Sequence, residues 1–131
     1  MPTEILVLAL GAVLGFVHIM VAGHYKTRQY GGQWNIGPRD KEMPPLEDVA
    51  GRLDRARGNF LETFPIAIVA FVGVVIAGKA SDLTAICAWI WLAGRLVYLP
   101  AYWTGVTGWR TVIWMAATLP VLVTLGALLW P

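Results

Sequence analysis

The sequence predicts an all-α integral membrane protein, a bundle of four membrane-crossing helices. Three observations predict it. First, 57% of the 131 residues are hydrophobic and the mean hydropathy is +0.62. That is too apolar for a soluble domain, and the chain is too short for two domains. Second, four apolar stretches each approach the ~20 residues that cross a hydrocarbon core of ~30 Å. Third, seven of the ten basic residues (Lys26, Arg28, Arg39, Lys41, Arg52, Arg55 and Arg57) fall between the first and second stretches. Such an imbalance sets the orientation of membrane helices.

The first helix is expected over about residues 4–25. Ile5 to Gly23 is apolar except for His18. A secretory signal would start with basic residues and end on a small-residue cleavage motif. This start carries Glu4 instead, so a retained span is expected. Gly31-Gly32, Gly37-Pro38 and Pro44-Pro45 mark residues 26–45 as a loop.

The second helix is expected over about 46–78. Pro45, Glu47 and Asp48 suit its start, where acids complement the dipole. Its apolar part, Phe64 to Gly78, is short, and the polar helical face upstream extends it. The third helix, about 82–104, follows a tight turn with Ser81 or Asp82 as cap. The fourth, about 108–130, follows Gly105–Gly108, with Thr107 as an available cap. Short second and third connections make successive helices antiparallel neighbours.

Pro65, Pro100 and Pro120 fall inside these helices, where each removes a backbone donor and is expected to kink its helix. Trp103, Trp109 and Trp130 lie near span ends, as interfacial anchors do. Trp89, Trp91 and Trp114 read as packing or lipid-facing residues. The bias of lysines and arginines puts the first and third connections in the cytoplasm and both termini on the other side.

Several functions are disfavoured. The basic cluster is interleaved with Asp40, Glu42, Glu47, Asp48 and Asp54, which argues against nucleic acid as a partner. Cys87 has no second cysteine to pair with and reads as a small buried hydrophobe. His18 and His24 are six apart, off the i, i+4 spacing that puts two metal ligands on one helix face. The glycines of residues 31–37 lack the lysine and preceding strand of a phosphate loop. No internal repeat suggests a transporter.

Two polar stripes carry the functional signal. Arg55, Asn59 and Glu62 lie at i, i+4 and i+7, on one helical face. Arg95, Tyr98 and Tyr102 lie at i, i+3 and i+7, and Arg110 opens the fourth helix. A charge at membrane depth costs ~2.5–3.5 kcal/mol on insertion scales, so such residues are usually functional. In an up-and-down bundle the start of helix two, the end of helix three and the start of helix four meet at one surface. All seven residues are therefore expected in one site. Arginines fork onto carboxylates, a glutamate receives an ammonium, and asparagine and tyrosine fix amide and thiol groups. The competing account is structural, with Arg55 or Arg95 paired to Glu62 to fix helix packing.

These residues also carry a family resemblance. Gly37-Pro38-Arg39-Asp40, Gly51-Arg52-Leu53, the run Arg55-Ala-Arg57-Gly-Asn59-Phe-Leu-Glu62-Thr-Phe-Pro65 and the run Arg95-Leu-Val-Tyr98-Leu-Pro100-Ala-Tyr102 resemble the MAPEG family. The name denotes membrane-associated proteins in eicosanoid and glutathione metabolism. The resemblance is strongest to its short bacterial members and covers nearly the whole chain. It implies a homotrimer in the bacterial inner membrane, with glutathione held between adjacent subunits near the cytoplasmic face. Arg55, Asn59, Glu62, Arg95, Tyr98 and Tyr102 match the family's glutathione-contacting positions. Arg110 matches the arginine that stabilises the thiolate in its transferases and synthases. A basic residue at the end of helix one contacts glutathione in some members, and Lys26 or Arg28 stands there. Arg57 falls where members vary.

The implied activity is a glutathione transferase or peroxidase, with Arg110 and Tyr102 as the catalytic pair and a lipophilic electrophile or lipid hydroperoxide arriving from the bilayer. The alternative is a non-catalytic lipid- or partner-binding protein, since the family includes such members.

Overall fold

A computed structural model describes residues 1–131. The chain forms α1 (Thr3–Tyr30), a short α2 (Gly32–Ile36), α3 (Asp48–Ile76), α4 (Asp82–Thr104) and α5 (Trp109–Leu129), with no strand. The four long helices are each long and apolar enough to cross a membrane. Large apolar side chains are exposed along all four, among them Val13, Phe16, Val69, Ile90, Met115 and Leu119. Water would not tolerate so much apolar surface, and lipid does.

The helices α3 and α4 lie against each other, and both touch α1 and α5, whereas α1 and α5 do not meet. The section is thus a rhombus with α3 and α4 on its short diagonal. Phe60, Ala67, Ala70 and Phe71 of α3 pack with Cys87, Ala88, Trp91 and Leu92 of α4, and Val7, Leu8 and Leu14 of α1 close the core. Close approach depends on small residues, as between membrane helices generally. A Cβ at Gly11 would lie 2.5 Å from the Trp91 ring, and one at Gly15 would lie 2.7 Å from the Phe60 ring. The two glycines are one turn apart and each receives an aromatic ring of the core.

The expected boundaries need two corrections. The first helix runs five residues past 25, and residues 26–45 are not all loop. Lys26 to Tyr30 contains no helix breaker, so the helix continues until Gly31, which takes φ +93°. The short α2 follows. The remaining segment is tied back: the Gln29 amide donates to Pro45 O at 2.9 Å, its oxygen accepts from the Glu47 N–H at 2.7 Å, and the Tyr30 hydroxyl donates to Pro44 O. Thr107 does not cap α5. Gly108 holds that position with no side-chain hydrogen bond.

The expected cap of the third long helix is formed. Ser81 caps α4 in a reciprocal arrangement with Thr84. The three prolines lie within continuous helices. Lys79 donates to Leu128 O at 2.9 Å and to Trp130 O, closing the carbonyl end of α5. At this end of the bundle the buried Glu4 carboxylate accepts from Thr84 Oγ1 at 2.5 Å, tying α1 to α4. At the other end Arg52 Nε donates to Trp103 O at 3.2 Å, tying α3 to the last turn of α4. These ties set the relative height of the helices that carry the polar stripes.

Candidate functional site

Arg95 is the centre of the site. It lies on the α4 face that packs against α3 and is only 2% exposed. Its Nη1 donates to Asn59 Oδ1 at 3.0 Å. Its guanidinium lies over the rings of Phe60 and Tyr98, 5.1 and 4.8 Å from their centroids. Aromatic faces stabilise a cation without neutralising it. Arg95 Nε and Nη2 are buried with no hydrogen-bond partner. No carboxylate forms an ion pair with it. The only ion pairs in the chain join Lys26 and Arg57 to Asp54. The packing pair that competed at the sequence level, Arg55 or Arg95 with Glu62, is therefore not formed.

The stripe continues outward along α4. The Tyr98 ring meets the Tyr102 ring edge to face at 5.0 Å, and the Arg110 guanidinium lies 4.8 Å from the Tyr102 centroid. Arg110 Nε is also buried without a partner. A cavity of about 330 Å³ opens here between α3, α4 and α5, lined by Asn59, Tyr98, Tyr102, Arg110, Thr111 and Trp114, with Gly108 at its edge. The short Gly105–Gly108 turn is what brings Arg110 over Tyr102. Gly105 and Gly108 both take positive φ, +71° and +84°, and reverse the chain within a few residues.

The sequence stripes thus meet in part. Asn59, Arg95, Tyr98, Tyr102 and Arg110 form one connected cluster. Arg55 and Glu62 share Asn59's helical face but are exposed, with no partner within this chain. Helical spacing fixes the direction in which a residue leaves its axis. It does not say what lies opposite, and here α4 covers only the middle of the stripe. Lys26 and Arg57 both reach Asp54 Oδ1, at 2.7 and 2.8 Å. They line a separate cleft of about 490 Å³ between α1, α2 and α3, with Trp34 and Arg39. Arg28 lies over Tyr25, 5.6 Å from the ring centroid.

Sequence reasoning missed Trp114. Its place one helical turn from Arg110, on the same α5 face, was the available signal. Trp89 is exposed and Trp91 buried, so those two are the lipid-facing and packing residues expected, whereas Trp114 borders the cavity. A second, apolar cavity of about 210 Å³ lies next to the first, between Ile66, Trp91, Val121 and Leu122, with Arg95 and Trp114 on its wall.

A cluster of two guanidinium groups, two phenols and an amide, with no acid to balance the charge, suits an anion with further hydrogen-bonding groups. Its position at one end of an apolar bundle defines the class: a polytopic membrane protein with a cationic, hydrogen-bonding cluster at one end of its helices. The chain matches the model of the MAPEG family over residues 5–130, and it belongs to that family. A comparison with curated proteins finds no match. Membership suggests a membrane function in glutathione-related transferase or peroxidase chemistry or in eicosanoid metabolism.

Proposed function

We propose that this protein is a membrane-bound glutathione-dependent transferase or peroxidase. The observation that carries the proposal is Arg110. It is held over Tyr102 on the wall of the polar cavity, and a second arginine without an ion-pair partner, Arg95, packs on Tyr98 of the same wall. Arg95 receives a carboxylate of the tripeptide, Asn59 and Tyr98 its amides, and Arg110 with Tyr102 faces the sulfur. A free thiol has a pKa of ~8.5, and a neighbouring cation lowers it because it stabilises the thiolate alone. The thiolate is the nucleophile toward a lipophilic electrophile or hydroperoxide, which enters from the bilayer.

Arg55 and Glu62 suit the remaining ammonium and carboxylate of glutathione. Both face outward, which supports a site completed at a boundary between subunits, as in a homotrimer. The seven basic residues in the last turns of α1, the segment after it and the first turns of α3 support a cytoplasmic position for residues 26–50, in a bacterial inner membrane.

Stopped-flow absorbance tests the proposal. Mixing detergent-purified protein with glutathione should give a rapid thiolate signal, and conjugation of a lipophilic electrophile should follow. No thiolate and no glutathione binding by calorimetry would instead indicate a non-catalytic lipid- or partner-binding member.

A further inference from the structure

Arg52, in the motif Gly51-Arg52-Leu53, borders neither cavity of the site. It reaches instead from α3 to the last turn of α4, where its Nε donates to Trp103 O at 3.2 Å. Its guanidinium carbon lies 3.3 Å from where a Cβ on Gly105 would stand, so the group rests against the turn that follows the helix. The last carbonyls of a helix find no partner within it. In α4 the Thr104 hydroxyl donates to Pro100 O at 3.0 Å, and the Gly105 N–H donates to Tyr102 O at 3.2 Å. Of the donors at this end, only Arg52 comes from another helix. The turn itself is weakly held. None of residues 105–112 is buried, and Gly108 opens α5 without a side-chain cap. Segments with few buried contacts open at little cost. Arg110 belongs to this segment, and its guanidinium lies 4.8 Å from the centroid of Tyr102, the residue before Trp103.

Building on the proposed thiolate chemistry, we infer that Arg52 is a positioning residue for Arg110. It touches no substrate. Its hydrogen bond to Trp103 O holds the end of α4 and the Gly105–Gly108 turn, and so keeps Arg110 over Tyr102 and beside the sulfur. The stabilisation that a cation gives a thiolate falls as the two move apart. A looser turn therefore costs ionisation of the sulfur. It leaves in place Arg95 and Asn59, which stand on the bodies of α4 and α3.

Glutamine and methionine separate the hydrogen bond of Arg52 from its charge. Glutamine Nε2 stands as many bonds from Cα as arginine Nε, and it carries N–H donors without a charge. Methionine has the same reach and no donor. The measurement is the pH midpoint of the thiolate absorbance of bound glutathione. Arg52→Met should raise it by about one pH unit toward the free-thiol value, about tenfold in the ionisation constant. Arg52→Gln should stay within about 0.3 of a unit of wild type. Affinity for S-methylglutathione, which has no thiol to ionise, should stay within about twofold in both. An unmoved midpoint in Arg52→Met would overturn the inference, and so would lost S-methylglutathione affinity with an unmoved midpoint. Equal shifts in Arg52→Met and Arg52→Gln would overturn it too, because they assign the effect to the charge. Arg52→Ala, read by the same midpoint, serves if the methionine variant is not monodisperse. The two levels separate cleanly. A wild-type midpoint near the free-thiol ~8.5 refutes the thiolate chemistry and this inference together. A low wild-type midpoint shared by Arg52→Met refutes only the role of Arg52.

Discussion

Arg95 has one hydrogen-bond partner within the chain, Asn59, whose Oδ1 lies 3.0 Å from Nη1 and fixes the guanidinium between two aromatic rings. A buried cation held by a neutral amide keeps its full charge for a ligand. An aspartate in the same place would neutralise it.

Asn59→Leu should therefore harm both stability and binding. Hydrogen bonds to charged groups contribute ~1.5–3 kcal/mol, and an unpartnered buried donor adds to the loss. We expect destabilisation of about 2–3 kcal/mol by thermal unfolding in detergent. Glutathione affinity, read by calorimetry, should also fall. Asn59→Asp should retain more stability and lose more binding.

Gly15 tests how the core supports the site. Its missing side chain makes room for Phe60, and Phe60 supports the Arg95 guanidinium. Overpacking of a tight core typically costs ~1–3 kcal/mol. Gly15→Val should lower the unfolding temperature and weaken glutathione binding, although residue 15 belongs to neither cavity. Gly23→Ala, with open space around it, should do neither.

The four spans, the Ser81 cap and the stripe formed by Arg95, Tyr98 and Tyr102 were legible in the sequence, because hydropathy, capping chemistry and helical period act locally. The extension of α1 to Tyr30 was hidden by the polar residues 26–30, which are hydrophilic without being helix breakers. Trp114 was hidden because a tryptophan in an apolar helix reads alike against lipid, core or cavity. The exposure of Arg55 and Glu62 depends on which part of α3 is covered by α4, and no local pattern encodes that.

Glu4 and Thr84 form a buried contact far from the site. Thr84→Val keeps the shape, leaves the carboxylate without its hydroxyl donor and removes the acceptor of the Ser81 N–H. It should cost about 1–3 kcal/mol of stability by thermal unfolding. Glutathione affinity of the folded fraction should stay within about twofold, under 0.5 kcal/mol.

Arg55→Ala and Glu62→Gln separate a ligand role from a surface role. Exposed side chains without partners change stability within about 0.5 kcal/mol. If they complete the site across a subunit boundary, each variant should weaken glutathione binding about tenfold or more while unfolding like the wild type. Binding equal to wild type would remove both from the site.

The most direct test of the central claim is a pH titration of the thiolate absorbance of bound glutathione in wild type and Arg110→Ala. A cation that stabilises only the ionised form lowers the midpoint, so the thiolate persists to lower pH when Arg110 is present. The expected result is a wild-type midpoint well below the free-thiol value of ~8.5 and a return toward that value in Arg110→Ala. The same midpoint in both proteins would contradict the account.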